Sequence, residues 1–339
     1  MALEQSEITN SLADTVREFS RRKIVVVGDA IADQFLYGEI SRVSREAPVF
    51  ILRHEHTETA PGGAANCAAN LTALGAQVAL ISVVGKDGAG ERLLEKLRDA
   101  GVDSSGVIVS ADHRTPTKVR VLAGQMHSTR QQVIRIDYEA EPDLDENVRR
   151  QLADQIGAAI GSAEALIISD YGYGVADPTA AETIRGRNRS GIPILVDSRF
   201  RLSAFSRFTS ATPNEDELAQ VIGREPADVA ELESAATELR QRLGYRALLI
   251  TRGGHGMMLV EADKEPLHMA AVGPTEPLDV TGAGDTVIAT YTLALASGAS
   301  FAEAARLANL AGGIVVMKRG TATVGQEELI ATAVSHVTA

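Results

Sequence analysis

The segment Leu278-Asp279-Val280-Thr281-Gly282-Ala283-Gly284-Asp285-Thr286 sets a carboxylate directly behind two glycines, at the start of an apolar run from Thr286 to Ser297 that Gly298 closes. The run has the length of a helix and a glycine stop, so the loop presents the amides of Gly282, Ala283, Gly284 and Asp285 at the positive end of a helix. Amides with no side chains in the way suit a phosphoryl group carrying developing negative charge. A carboxylate in such a place opposes bound phosphate unless its task is to accept a proton, and a hydroxyl attacking a γ-phosphate has one to lose. A glycine-rich turn with Asp285 as an ordinary helix cap accounts for the same letters, so other segments must decide.

Composition narrows the classes. With 339 residues, 45% of them hydrophobic, and no apolar run long enough to span a bilayer, the sequence reads as a globular chain with one large α/β domain and a small appendage. A formal charge of -12 without a basic cluster argues against a nucleic-acid partner. Cys67 alone forms no internal disulfide and sits in the small-residue run Ala64 to Ala69, which suits packing; the polar start Met1-Ala2-Leu3-Glu4 is no signal peptide. Both point to the cytoplasm and away from a membrane. His127, His255 and His268 lack metal-ligand spacing.

Short apolar runs alternate with Ala-rich helical stretches. Ile24 to Val27, Ala79 to Val84, Leu166 to Ser169, Ile194 to Val196 and Ala247 to Thr251 read as buried parallel strands. The helices expected between them are Asn66 to Leu74, Gly90 to Ala100, Val148 to Ile160, Pro178 to Asn188 and Asp228 to Leu243. Ligands in open parallel sheets bind beyond the carboxyl ends of strands, so Gly28-Asp29, Gly85-Lys86-Asp87, Asp170, Asp197 and Thr251-Arg252 should face one crevice. Residues 1–22 read as an N-terminal helical extension to a domain over 23–339. Two insertions, about 34–59 and 104–137, alternate apolar and polar residues and read as antiparallel strands of a small lid, able to cover the crevice or to join two copies.

Pro61-Gly62-Gly63-Ala64-Ala65-Asn66, Thr212-Pro213-Asn214-Glu215-Asp216-Glu217 and Asp279 to Asp285 together resemble the three signatures of the ribokinase-like (PfkB) sugar kinases, in the same order and spacing, from about Lys23 to Thr323. The resemblance implies a three-layer α/β/α sandwich with a mainly parallel sheet and a β lid, ATP and Mg²⁺ as cofactors with K⁺ as a further ion, a sugar or sugar phosphate as acceptor, and a homodimer formed through the lid. It also implies roles. Asp285 is the base, with the amides of Gly282, Ala283 and Gly284 around the transferring phosphoryl; Asp33, Gly62, Gly63 and Asn66 face the sugar. Asn214, Thr251, Gly253, Gly256 and Asn309 lie along the nucleotide, Glu217 arranges Mg²⁺, and Asp279 and Thr281 offer carbonyls to a monovalent cation. Each position has a plainer reading beside this one. Asn66 and Asn214 suit helix caps, the glycines suit close packing, and Asp33 suits a surface.

Within the family, Ser44-Arg45-Glu46-Ala47-Pro48, Thr117 to Leu122, Gln131 to Asp137 and Ser169-Asp170-Tyr171-Gly172 resemble the branch that phosphorylates heptose 7-phosphate. Many members of that branch carry a fused nucleotidyltransferase, which these 339 residues do not include. Lys118 and Arg120 alternate on one strand and Arg135 lies on the next, a basic group able to grip a sugar phosphate or merely to guard an edge. The departures are Tyr173 and Arg199, where relatives have Lys, and extra residues around Gly124 to Arg130. Other sugars or nucleosides in the same family, and a non-catalytic sugar-binding module, are the alternative readings. A dinucleotide-binding dehydrogenase is disfavoured, because Gly28-Asp29-Ala30-Ile31 lacks the glycine fingerprint.

Overall fold

A computed structural model describes residues 11–124, 130–274 and 276–336. Met1 to Glu4, the stretch inside Gly124 to Arg130 and His127 lie outside the described residues. The strands are β1 (Lys23–Gly28), β2 (Ala30–Val43), β3 (Phe50–Gly63), β4 (Gln77–Gly85), β5 (Asp103–Ser110), β6 (Thr117–Gly124) and β7 (Gln131–Tyr138). They continue as β8 (Ala165–Asp170), β9 (Ile194–Ser198), β10 (Ser210–Ala211), β11 (Ala247–Thr251), β12 (Met257–Glu261) and β13 (Leu267–Met269). The helices are α1 (Ala64–Ala73), α2 (Gly88–Asp99), α3 (Glu146–Ile160), α4 (Pro178–Arg187), α5 (Glu215–Ile222), α6 (Val229–Leu243), α7 (Ala283–Ala296), α8 (Phe301–Val315) and α9 (Gln326–His336).

The main sheet has the order β13-β12-β11-β10-β9-β8-β1-β4-β5, parallel from β5 to β11 with an antiparallel edge at β12 and β13. Ile24 and Val26 of β1 pack with α1, α7 and α8 on one face, while Val25 and Val27 pack with α3, α4 and α6 on the other. Burial on both faces explains the near-continuous apolar runs. Chain order reverses beside β1, which is followed by β4 on one side and joined by β8 on the other. That switch point is where the crevice opens.

Two helices begin earlier than the apolar pattern suggests. α1 starts at Ala64 and α7 at Ala283, capped by Gly63 (φ 56°) and Gly282 (φ 77°). A positive φ turns the chain into the helix without a side-chain cap, a start that sequence rules built on Ser, Thr, Asp and Asn pass over. Asn66 is therefore not the cap of α1. It and Asp285 both fall in the first turns of their helices.

The lid differs from expectation in two ways. Residues 104–110 belong to β5, which pairs parallel with β4 at the edge of the main sheet. An edge strand with one uncovered face shows the same alternation as a lid strand, which is why the pattern misplaced it. The lid is β3-β2-β6-β7, and its central pair, β2 with β6, is parallel. Each insertion is an out-and-back excursion from the same end of the main sheet. The two outgoing strands meet at the centre and therefore run the same way, leaving the antiparallel pairs β2·β3 and β6·β7 outside.

The expected N-terminal extension packs into the body from residue 11 onward. Leu12, Val16 and Phe19 are buried in the same cluster as Leu71 and Leu74, and Gln326 Nε2 donates to the Val16 carbonyl at 2.7 Å. The lid, by contrast, leaves apolar surface uncovered: Ile134 and Ile136 of β7 are 53% and 41% exposed. If two copies join through this face, Ile134→Glu combined with Ile136→Glu should convert a dimer to a monomer in sedimentation velocity, since buried charge at an apolar interface is costly. Unchanged sedimentation would place any dimer contact elsewhere.

Candidate active site

Asp285 stands in the first turn of α7, 4% exposed, with both oxygens held. Asn66 Nδ2 donates to Oδ2 at 2.7 Å and Tyr171 Oη donates to Oδ1 at 3.0 Å. Burial pushes the carboxyl from 3.8 up to about 6; the two donors pull against that, and the neighbouring Asp33 adds to it. Asn66 is itself fixed. Its Oδ1 and carbonyl accept from Asn70 Nδ2 at 3.2 and 3.0 Å, and Asn70 Oδ1 accepts from Thr286 Oγ1 at 2.9 Å. A buried hydrogen-bond chain thus ties α1 to α7 and ends on the Asp285 carboxylate. Gly282 makes room for it, because a Cβ there would lie 2.5 Å from Asn66 Nδ2. Asn66, expected to face the sugar, has a donor committed to Asp285.

The amide hole is narrower than expected. The Ala283 amide is bonded to the Val280 carbonyl at 3.2 Å, closing a turn, and the Thr286 amide begins the helix ladder on Gly282 at 3.1 Å. Ala283 therefore drops out as a donor. The amides of Gly284 and Asp285, in the first turn, have no intrahelical acceptor. A Cβ on Gly284 would meet nothing within 4 Å, so open space lies in front of it.

Across the crevice, Asp33 of β2 is 5% exposed and pairs with Arg120 Nη1 of β6 at 2.5 Å. Burial raises the Asp33 carboxyl, and Arg120, then Lys118 and Arg135, work against that. Gly62 serves this carboxylate, since a Cβ there would sit 2.5 Å from Asp33 Oδ2. At Gly63 a Cβ would meet the Asp29 carbonyl at 2.6 Å. Both glycines thus serve close packing in this structure.

The strand register puts Asp33, Lys118 and Asp137 in one row and Phe35, Arg120 and Arg135 in the next, so all three lid cations share a face. Two of them are already paired: Arg120 with Asp33, and Arg135 Nε with Asp137 at 2.9 Å. Lys118 Nζ lies 5.2 Å from the centre of the Tyr171 ring, and burial lowers its pKa. A cavity of about 1590 Å³ opens along the lid, bounded by Phe35, Arg120, Asp279, Thr281 and Arg319.

On the other side, Asn214 and Glu217 form a capping box on α5: Asn214 Oδ1 accepts from the Glu217 amide at 2.8 Å, and Glu217 Oε2 accepts from the Asn214 amide at 2.9 Å. Burial raises the Glu217 carboxyl, and it raises Asp197 well above the carboxylate range, with Glu217, Asp285 and Asp170 adding to the effect. Adjacent acids held this way favour a cation. Among the described residues no three acidic, His or Cys side chains gather as a closed metal cage. Mg²⁺ would fit here only as an ion that keeps water and phosphate oxygens, with Glu217 the residue that would hold its waters. Asp279 accepts the Thr281 amide on Oδ1 and the Gly320 amide on Oδ2, each at 2.9 Å, so a cation at this loop would be left to carbonyl oxygens.

Thr251 ends β11, its amide bonded to the Pro213 carbonyl at 3.0 Å beside Asn214. Gly253 lies in a 3-10 turn with nothing within 4 Å of a Cβ, which leaves the backbone open to a ligand. Gly256 (φ 84°) has another duty, since a Cβ would sit 2.0 Å from the Met269 carbonyl of β13. Asn309, expected to line the nucleotide base, is 8% exposed and donates to the Ala270 carbonyl at 2.7 Å.

The sequence reading assigned no role to Asp29 or to the Tyr171 hydroxyl. Asp29, just past β1, accepts the amides of Tyr171, Tyr173 and Val175 at 2.8, 3.0 and 3.0 Å. Asp170, ending β8, accepts from Ser198 Oγ at 2.7 Å and from the Gly172 amide at 3.1 Å, and pairs with Arg201. Buried acids just past or at the ends of adjacent strands were the available signal. Arg199 lies over the Phe200 ring at 5.5 Å, and its charge lowers the pKa of Lys118 and works against the raised carboxyls of Asp197 and Glu217.

The pairing of Asp33 with Arg120 generates its own check. Arg120→Ala leaves a buried carboxylate without its cation and should lower unfolding free energy by about 3–5 kcal/mol. Urea denaturation showing less than about 0.5 kcal/mol would mean that the pair is not formed in solution.

The pfkB family carbohydrate kinase pattern matches residues 21–328. Among curated proteins, the bifunctional protein HldE of Mesorhizobium japonicum is 41% identical over 93% of this chain, which covers 62% of that relative. Other HldE proteins are covered to 65% and 66%, so the chain spans about two thirds of the curated relatives it matches. Among solved structures, phosphofructokinase-2 from Escherichia coli in complex with potassium superposes with a TM-score of 0.77 at 23% identity, over 94% of this chain and 99% of that one. Arabidopsis thaliana ribokinase complexed with ribose and ATP superposes at 0.71 with 19% identity, over 92% and 98%. The β-lidded parallel sheet with a held carboxylate at its switch point therefore belongs to the pfkB family of carbohydrate kinases, and the chain is a sugar kinase.

Proposed function

We propose that the chain transfers the γ-phosphoryl group of ATP to the C1 hydroxyl of D-glycero-D-manno-heptose 7-phosphate, with Asp285 as general base. The observation that carries the chemistry is the Asp285 carboxylate, buried, held on both oxygens, with a pKa of about 6, beside the free amides of Gly284 and Asp285. A base near neutrality accepts the hydroxyl proton as the oxygen attacks, and the amides of the α7 start take up charge on the phosphoryl group. Asp33 is placed to hold sugar hydroxyls with its remaining lone pairs. Mg²⁺ beside Glu217 would neutralise the phosphates of the nucleotide.

The heptose assignment is supported by Ser44 to Pro48, the lid strands and Ser169 to Gly172, and by identities near 40% with proteins named HldE. The second activity of those bifunctional relatives is not part of the proposal. A kinase for an unphosphorylated sugar is the second reading. It is favoured by Tyr173 and by the carboxylate partners of Arg120 and Arg135, because a substrate phosphate has to compete with Asp33 and Asp137 for those guanidinium groups. A silent binding module is disfavoured by the intact loop from Gly282 to Asp285.

Asp285→Asn should lower kcat by about 10²-fold or more while ATP binding by calorimetry stays within a few-fold. In the wild type, kcat/KM should fall as pH drops through about 6, because protonated Asp285 cannot accept the hydroxyl proton. A flat profile between pH 5 and 7 would remove Asp285 from the base role. For the acceptor, Arg135→Ala is the cleaner probe, since it is 46% exposed and its loss should not unfold the lid. It should reduce kcat/KM for the sugar 7-phosphate by about tenfold, one charge-assisted bond, and leave the free sugar unaffected. Equal use of both acceptors by the wild type would favour the second reading.

A solved structure of Escherichia coli phosphofructokinase-2 is in complex with potassium, and in this chain we propose the backbone carbonyls of the Asp279 to Thr281 loop for such an ion, since the Asp279 carboxylate is taken up by the Thr281 and Gly320 amides. Replacing K⁺ by tetramethylammonium at constant ionic strength should lower turnover severalfold, and no change would exclude a cation that orders the loop.

A further inference from the structure

The base is held by a tyrosine, and the tyrosine is held by a second carboxylate. The segment after β8 turns past β1, and alternate amides of that turn, from Tyr171, Tyr173 and Val175, converge on Asp29, which is 1% exposed. Three amides on one carboxylate fix the turn in a single conformation, and that conformation delivers the Tyr171 hydroxyl to Asp285 Oδ1 at 3.0 Å. A carboxylate on a short side chain is otherwise free to swing about its last bond. With Asn66 on one oxygen and Tyr171 on the other, its plane is set. Tyr171 can act only as donor here, because burial and the charges of Asp285 and Asp197 hold its phenol well above the usual tyrosine range.

We propose that Tyr171 is the positioning residue of Asp285 and that Asp29 is the anchor that places it: the phenol fixes the plane of the carboxylate and favours its ionised form. This rests on Asp285 being the base. The other groups around Asp285 are Asp33 from β2, Lys118 from β6, Asp197 from β9, Asn66 and Cys67 from α1. Of these, Lys118 supports the ionised form and the acids oppose it. The Tyr171 bond, like that of Asn66, acts directly on the carboxylate oxygens.

The test follows Asp285 itself, so that it does not depend on turnover. Aspartate labelled with ¹³C at the carboxyl is introduced into the whole chain, and the Asp285 resonance is assigned by its loss in Asp285→Asn. Titrations are then compared for wild type, Tyr171→Phe and Asp29→Asn. Tyr171→Phe keeps the ring under Lys118, so the melting temperature should hold while the Asp285 midpoint rises by about one pH unit, as expected for loss of a donor to a charged group. The acid limb of kcat/KM, measured with Mg-ATP and D-glycero-D-manno-heptose 7-phosphate, should move upward by the same amount. Asp29→Asn should move the midpoint in the same direction and also lower the melting temperature. A midpoint that stays in place or falls in Tyr171→Phe overturns the proposal, and if Asp29→Asn does not fold, Tyr171→Phe alone decides. A raised midpoint together with an active Asp285→Asn would support the bond from Tyr171 while removing the base reading, so the two failures are told apart.

Discussion

Keeping a carboxylate ionisable while it is buried at a helix start is the constraint around which this structure is arranged. Moving Asp285 from 3.8 to about 6 corresponds to roughly 3 kcal/mol against its charged form. That value already includes the two side-chain donors, without which burial would hold the carboxyl higher still. Two side-chain donors and the positive end of α7 offset part of the cost, and each comes from a different element. Asn66 belongs to α1, Tyr171 to the turn after β8, and the amides to α7. The carboxylate is therefore held this way only where these three elements are packed together, which the buried chain through Asn70 and Thr286 secures.

The glycines follow from the same demand. Gly282 and Gly62 are not primarily flexible hinges, since each marks a place where a polar side chain from another element comes against the backbone. Asn66 Nδ2 and Asp33 Oδ2 would both be 2.5 Å from a Cβ at those positions. A side chain there would push away the Asn66 amide that holds Asp285 or the Asp33 carboxylate paired with Arg120. Read as a loop signature these glycines suggest phosphate contact. In the structure their first effect is to let neighbouring side chains close in, whereas Gly253 and Gly284 keep open space in front of them.

What the sequence displays is local, and what it hides is pairing. Apolar runs such as Ile24 to Val27 show burial on both faces, and the Gly282 to Asp285 loop shows a helix start with an acid, so the sheet and the place of the Asp285 carboxylate at the start of α7 were legible. Partners far apart were not. Asn66 and Asp285 are separated by 219 positions, and Tyr171 and Asp285 by 114, with no periodicity linking them. The direction of strand pairing was equally hidden, because alternation along β2 and β6 tells which face is buried and not which neighbour lies alongside. The basic residues of the lid stood out by charge, yet the acids that neutralise them, Asp33 and Asp137, gave no sign of sharing a face until the register was known.

That register bears on how the lid and the base relate. Because β2 and β6 run parallel, Asp33 and Lys118 fall in the same row, one touching Arg120 and the other lying over Tyr171. Tyr171 in turn holds Asp285. A single lid strand, β6, thus reaches both Asp33, through Arg120, and, through one aromatic ring under Lys118, the Asp285 carboxylate. With an antiparallel centre, as alternation alone suggested, the two outgoing strands would have to leave the body from opposite ends, and Lys118 would not arrive over the switch point. The ordering of the lid and the orientation of the Asp285 carboxylate are for this reason one structural problem, solved by the parallel pair at the lid centre.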